Sequence, residues 1–182
     1  MSVARLLVVV AMLTGLLACE MPAASALPSE TRWHADVRSA MKGSQAYLTE
    51  RAERSRGRLA VNLDIDNTML ATGYEPGKPV RVVRAFTRRA HELGIAVLVN
   101  SARRRDDLHH TARALRRAGY RVGEICLRAK GVSVPAGKKR CRRHFVREGY
   151  TIVANVGNRS TDFAGGNYER AFRLPNYHNR LS

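Results

Sequence analysis

A chain of 182 residues is long enough for one domain of ordinary size with a real hydrophobic core. Its 32 lysines and arginines against 15 acidic residues leave a formal charge of +17, and only five of the 32 are lysine. That balance favours anionic partners and salt-sensitive binding, although the codon usage of a GC-rich genome produces the same arginine bias. No nucleic-acid motif accompanies the charge, and the few aromatics are not interleaved as stacking platforms, so a specific nucleic-acid reader is excluded.

The first predicted element is an export signal. Arg5 precedes an apolar run from Leu6 to Ala18, Pro22 breaks the helix beyond it, and Ala24-Ser25-Ala26 offers a small-residue cleavage site. The run is too short and too weakly flanked to span a membrane. The expectation is a signal peptide over residues 1–26. The alternative is a lipoprotein signal over 1–18, because Leu16-Leu17-Ala18-Cys19 resembles a lipobox with Cys19 as the lipidated residue. Leu17 replaces the small residue usual there, which favours cleavage after Ala26. Either route exports the protein, to the medium or to a lipid anchor at the outer face of the cell membrane. Cys126 and Cys141 then remain as an even pair in an oxidising compartment, where a disulfide is expected. No second cysteine pair or histidine cluster supports zinc.

Ser29 or Thr31 caps a predicted helix whose apolar positions Trp33, Val37, Met41 and Leu48 fall at roughly helical spacing. Residues 51–58 read as a charged connector. Leu59-Ala60-Val61-Asn62-Leu63 is a short aliphatic strand that runs into Asp64-Ile65-Asp66-Asn67-Thr68. Residues two apart on an extended chain point the same way, so Asp64 and Asp66 are expected to share a face at the strand's exit. Two carboxylates held that close repel unless a cation lies between them. In open parallel sheets the carboxyl end of a strand is where ligands bind.

A loop with Gly73, Pro76, Gly77 and Pro79 comes next, too short for a folded cap and of the right size for a lip. Val80 to Leu93 reads as a helix stopped by Gly94, and Ile95 to Asn100 as a strand ending in the hydroxyl of Ser101. A helix from Asp106 or Asp107 to Ala118 carries His109 and His110 on a solvent-facing, arginine-rich surface. Tyr120 to Leu127 is the third strand. Residues 131–137 are a loop, and Lys138 to Glu148 a helix that Lys138 and Lys139 open. Tyr150 to Val156 is a fourth strand, ending in Gly157-Asn158 with Asp162 beyond. Alternation at this spacing predicts a parallel sheet with helices on both faces. Residues 176–182 lack periodicity and read as a loosely ordered tail.

Asp-x-Asp-x-Thr, strand-Ser, Lys, then strand-Gly-Asn-x-x-x-Asp, in this order, resembles the haloacid dehalogenase (HAD) superfamily. Trp33, the Leu63-to-Thr68 segment and Gly149-to-Gly157 narrow the likeness to the secreted acid phosphatases of subfamily IIIB, with plant vegetative storage proteins as relatives. The resemblance implies a Rossmannoid α/β three-layer sandwich with a minimal cap over residues 30–175. It implies a Mg²⁺-dependent phosphomonoesterase acting on a small phosphorylated substrate through an aspartyl-phosphate. Asp64 would be the nucleophile, and Asp66 the general acid and base with its backbone carbonyl on the metal. Ser101, Lys138 and Arg103 would bind the substrate phosphate, with Lys139 competing for the lysine role. Metal ligands would be Asp64, Asp66, Asn158 and Asp162. Asn158 departs from the family, which places an aspartate there; an amide keeps the oxygen and loses the charge. This leaves a second reading open, a catalytically weak binding or storage protein. A third is a basic protein associated with anionic envelope polymers.

Overall fold

The computed structural model describes residues 26–55 and 57–181, so the expected signal peptide, all but its last residue Ala26, and Cys19 lie outside the described residues. Helix α1 (Glu30–Ala40) starts where Ser29 Oγ accepts the amide of Arg32 at 3.3 Å, an N-cap that meets one orphan donor of the first turn. The predicted single helix through Leu48 is two. Gly43, at φ +76°, breaks it, and α2 (Ser44–Glu53) starts directly after it and shortens the expected connector.

The sheet holds five parallel strands in the order β3-β2-β1-β4-β5. They are β1 (Arg58–Leu63), β2 (Ala96–Arg104), β3 (Glu124–Arg128), β4 (Tyr150–Gly157) and β5 (Arg170–Arg173). The last of these completes the predicted sheet: four residues gave too short a pattern to read as a strand, and pairing with β4 creates it. Helices α3 (Arg81–Glu92), α4 (Leu108–Arg117) and α5 (Val134–Arg147) make the crossovers. The third of these helices begins four residues before the expected Lys138. Pro135 sits in its first turn, where a missing N–H costs nothing, and Lys138 is therefore interior to the helix.

Strand alternation sorts the core into two layers. Val61, Leu63, Val97 and Val99 face Trp33, Val37, Leu48, Val83, Phe86 and Leu115 on one side. Ala60, Leu98 and Ile152 face Cys141 and Phe145 of α5 on the other. The winding direction therefore reverses between β1 and β4, and the crevice at such a switch point is the ligand site of open α/β sheets. The tail is not loose, contrary to the expectation: Leu181 is buried, and Tyr177 donates its hydroxyl to Asp36 Oδ2 at 2.8 Å. One leucine at the right distance anchors it, a signal too small for periodicity to show.

Cys126 of β3 and Cys141 of α5 form a disulfide across a 15-residue separation. Chain entropy for a loop of that length corresponds to about 3 kcal/mol. Reduction is expected to lower the unfolding free energy by that order in urea titrations, and the intact protein should weigh two protons less than its reduced form.

Candidate active site

The site is built where β1 and β4 end. Asp64 follows β1 directly, and its amide bonds to Val156 O at 3.0 Å, which locks the two strand ends together. Its side chain is buried, and its Oδ1 accepts a hydrogen bond from Lys138 Nζ. Burial pushes the Asp64 carboxyl above its ordinary range, and the Lys138 ammonium pulls it part of the way back.

Lys138 is the electrostatic centre of the site. Its side chain is 3% exposed and its Nζ contacts Asp64, Asp162 Oδ1 at 2.5 Å and Asn100 O at 3.1 Å. Burial alone would depress the ammonium, but Asp64 and Asp162 outweigh it and hold Lys138 above the usual lysine range. Asn100 Nδ2 donates back to Lys138 O at 2.9 Å, which pins the helix turn to β2. Lys139 points elsewhere and lies against Gly165. Of the two lysines, the fold brings Lys138 to Asp64.

Asp66 does not share Asp64's partner. Its carboxylate accepts both Arg103 Nη2 (2.7 Å) and Arg103 Nε (2.9 Å), and Thr72 Oγ1 donates to it at 2.8 Å. Burial works against its charge, but the Arg103 fork outweighs that and keeps Asp66 below the usual carboxylate range. Contrary to the expectation, the two carboxylates do not share a face of an extended strand. The chain turns after Asp64, with Asn67 at φ +56° and successive amides folded onto Ile65 O, so the two side chains diverge to separate cations. Arg103 is in the site, spent on Asp66. Ser101 is buried three residues before β2 ends, not at its end, and its Oγ accepts the Arg103 amide at 3.2 Å.

Asn158 and Asp162 follow β4. Asp162 Oδ2 accepts the Arg159 amide at 2.8 Å while Oδ1 pairs with Lys138, so both oxygens are engaged. Gly157 leaves the room: a Cβ there would fall 2.6 Å from Asp162 Cβ and Cγ, which no side chain tolerates. Asn158 Nδ2 donates to Leu181 O at 3.0 Å, whereas its buried Oδ1 has no partner. A buried orphan oxygen just past a strand end suits a hard cation. Asp64 Oδ2, also without a hydrogen bond among the described residues, is a second free oxygen. These donors fit a divalent ion. Asp162, by contrast, is committed to Lys138.

Three contributors escaped sequence reading. Thr72 and Arg159, with Asp64, Asp66, Ala102, Lys138 and Thr161, line the mouth, a cavity of about 190 Å³. Arg142 is fully buried in α5 and donates to three carbonyls of one loop: Asp162 O and Gly166 O, each at 2.7 Å, and Ala164 O. It holds the segment that carries Asp162. In sequence it is one arginine among many on a basic helix, and no pattern singles it out.

No curated protein matches the chain. Among solved structures, the class C acid phosphatase from Bacillus anthracis superposes with a TM-score of 0.67 at 18% identity, over 82% of this chain and 80% of that one. The tungstate-bound structure of the same enzyme gives 0.62 at 16%, with the same coverage. Similarity at that identity speaks for the fold. The family model of the HAD superfamily, subfamily IIIB (acid phosphatase), matches residues 73–180, the stretch that carries Ser101, Arg103, Lys138, Asn158 and Asp162. With well over half its length in that match, and with the sheet order and strand-end carboxylates just described, the chain belongs to the subfamily IIIB acid phosphatases of the HAD superfamily.

Proposed function

We propose that the protein is an exported, Mg²⁺-dependent phosphomonoesterase that turns over a small phosphorylated substrate through an aspartyl-phosphate on Asp64. One observation carries the reading: Asp64 is a buried carboxylate with one oxygen clamped by Lys138 and the other free at the mouth of a polar cavity. Once substrate phosphate draws Arg103 away, Asp66 takes up a proton from solvent; Asp64 Oδ2 then attacks phosphorus, and the bond to the leaving oxygen breaks as Asp66 delivers that proton to it. Asp66 then takes a proton from water, which attacks the aspartyl-phosphate, releases inorganic phosphate and restores Asp64. Lys138 keeps its charge throughout, fixes the rotamer of Asp64 and offers positive potential to the equatorial oxygens. Arg103 holds Asp66 until phosphate oxygens compete for the guanidinium. Asp64, the Asp66 carbonyl and Asn158 Oδ1 would hold a divalent cation, whose charge would offset the repulsion between anionic substrate and anionic nucleophile.

The test is hydrolysis of an aryl phosphate by the mature protein. Turnover with Mg²⁺, and its loss with a chelator, is expected; turnover unaffected by chelation removes the metal from the reading. Export rests on the signal-like N-terminus and agrees with the disulfide, which persists in oxidising compartments.

The second reading, a catalytically weak binding or storage protein, rests on Asn158. Asn158→Asp restores a full charge where the amide offers a dipole, so it should tighten Mg²⁺ binding and raise activity at low Mg²⁺. It also sets a carboxylate oxygen against Leu181 O in place of the present 3.0 Å hydrogen bond and adds charge near Asp64. The apo variant should therefore melt lower and show a larger Mg²⁺-induced rise in Tm. An unchanged Mg²⁺ response in thermal melts would place Asn158 outside the cation site.

A further inference from the structure

A second concave site lies away from the catalytic mouth. Helix α3 presents Arg84, Thr87, Arg88 and His91 along one stripe, and the turn between α4 and β3 sets Gly119 and Arg121 beside it. Together they enclose a groove of about 290 Å³ whose lining contains no carboxylate. The Arg84 guanidinium lies over Gly119, close enough that a Cβ there would meet Nη1 at 3.4 Å. His91 Nε2 donates to Arg121 O at 2.8 Å and ties the two walls together.

The absence of a carboxylate distinguishes this concavity from the other basic one, where Glu124 stands with Arg105, Arg140 and Arg147. Arg51 and Arg103 each grip a carboxylate with two nitrogens. Arg84 and Arg121 have no carboxylate at ion-pairing distance among the described residues, and Arg88 reaches Glu92 at 3.9 Å. Guanidinium groups converging on one concavity repel each other, and an anion relieves that repulsion. The planar fork of arginine matches phosphate oxygens two at a time. The row also continues past the groove: Arg81 stands one turn before Arg84 on α3 and is exposed. One phosphate group cannot span it, whereas a chain of them can.

Position adds the second half of the inference. Gly123 N bonds to Val97 O near the start of β2, so Arg121 stands at the amino end of the sheet. Asp64 stands at its carboxyl end. We propose that the groove anchors the protein to a linear polymer of phosphate groups while the catalytic mouth stays open on the far side.

The test titrates long-chain polyphosphate into the full mature chain in Mg²⁺-free buffer. It compares R84Q/R88Q/R121Q with R140Q/R143Q/R147Q, which removes the same charge from α5 on the opposite face of the sheet. The groove variant is expected to bind at least tenfold more weakly, and the α5 variant less than threefold. The slope of log K against log salt should become shallower by about two for the groove variant. Equal losses in the two variants, or none in either, would overturn the groove and leave diffuse charge. Full displacement of polyphosphate by an equal concentration of phosphate as orthophosphate would overturn the polymer. If the triple variant melts early, Arg88→Gln against Arg143→Gln makes the same comparison with single exposed residues.

Discussion

Replacing Asp64 by Asn is expected to lower aryl phosphate turnover by at least about a thousandfold, because the amide cannot attack phosphorus and no other carboxylate is poised to replace it. Asp66 is held by Arg103 and Thr72, and Asp162 by Lys138 and the Arg159 amide. The fold should survive the change. Lys138 sits between two buried carboxylates, so losing one charge leaves a neutral Lys138–Asp162 pair and removes the repulsion between Asp64 and Asp162 that burial aggravates. Thermal melts within a few degrees of the wild type, beside near-zero turnover, are the expected combination. Residual turnover above about a tenth of wild type would take the nucleophile's role from Asp64.

The second large effect is expected at Arg142. Arg142→Leu keeps the apolar stem in the α5 layer and strands the carbonyls of Ala164 and Gly166, while Asp162 O keeps only Asn155 Nδ2 at 3.0 Å. At about 1–3 kcal/mol for a buried unsatisfied group, with water able to reach the partly exposed Ala164 and Gly166 and Asn155 still serving Asp162 O, the loss should be about 2 kcal/mol in urea unfolding. Activity should fall as well, by about tenfold or more, because the loop that carries Asp162 also orients Lys138. Arg142→Lys retains a cation but not the three-way fork, and should recover only part of either quantity. A variant of wild-type stability and activity would show that the loop holds Asp162 unaided.

How much of the fold was legible along the chain depends on the range of the forces involved. The strands β1, β2 and β4, the crossover helices and the parallel order all arise from local patterns: aliphatic runs, helical periodicity, and glycines at 94, 119 and 149, each at positive φ after a helix. Such patterns act within a few residues, so sequence carries them whole. The carboxylates at the end of β1 were visible for the same reason, and so was the cysteine pair. The break at Gly43 and the early start of α5 were missed because an apolar stripe and a lysine pair outweighed a single glycine and a permissive Pro135. Strand β5 and the Leu181 anchor depend on partners far along the chain, which no local pattern records.

The site divides the same way. The sequence by itself determined which residue types stand at or near the strand ends: Asp64, Asp66, Ser101, Asn158 and Asp162. Only the tertiary structure decided what each one touches. It chose Lys138 over Lys139 through the rotation of α5, sent Arg103 to Asp66, bound Asp162 to Lys138, and spent a buried arginine, Arg142, on three carbonyls. Those choices turn on distances of a few ångströms between segments as many as 74 residues apart. A buried charge is tolerable only when such partners are in place, so the packed fold selects among arginines and lysines that are indistinguishable along the chain.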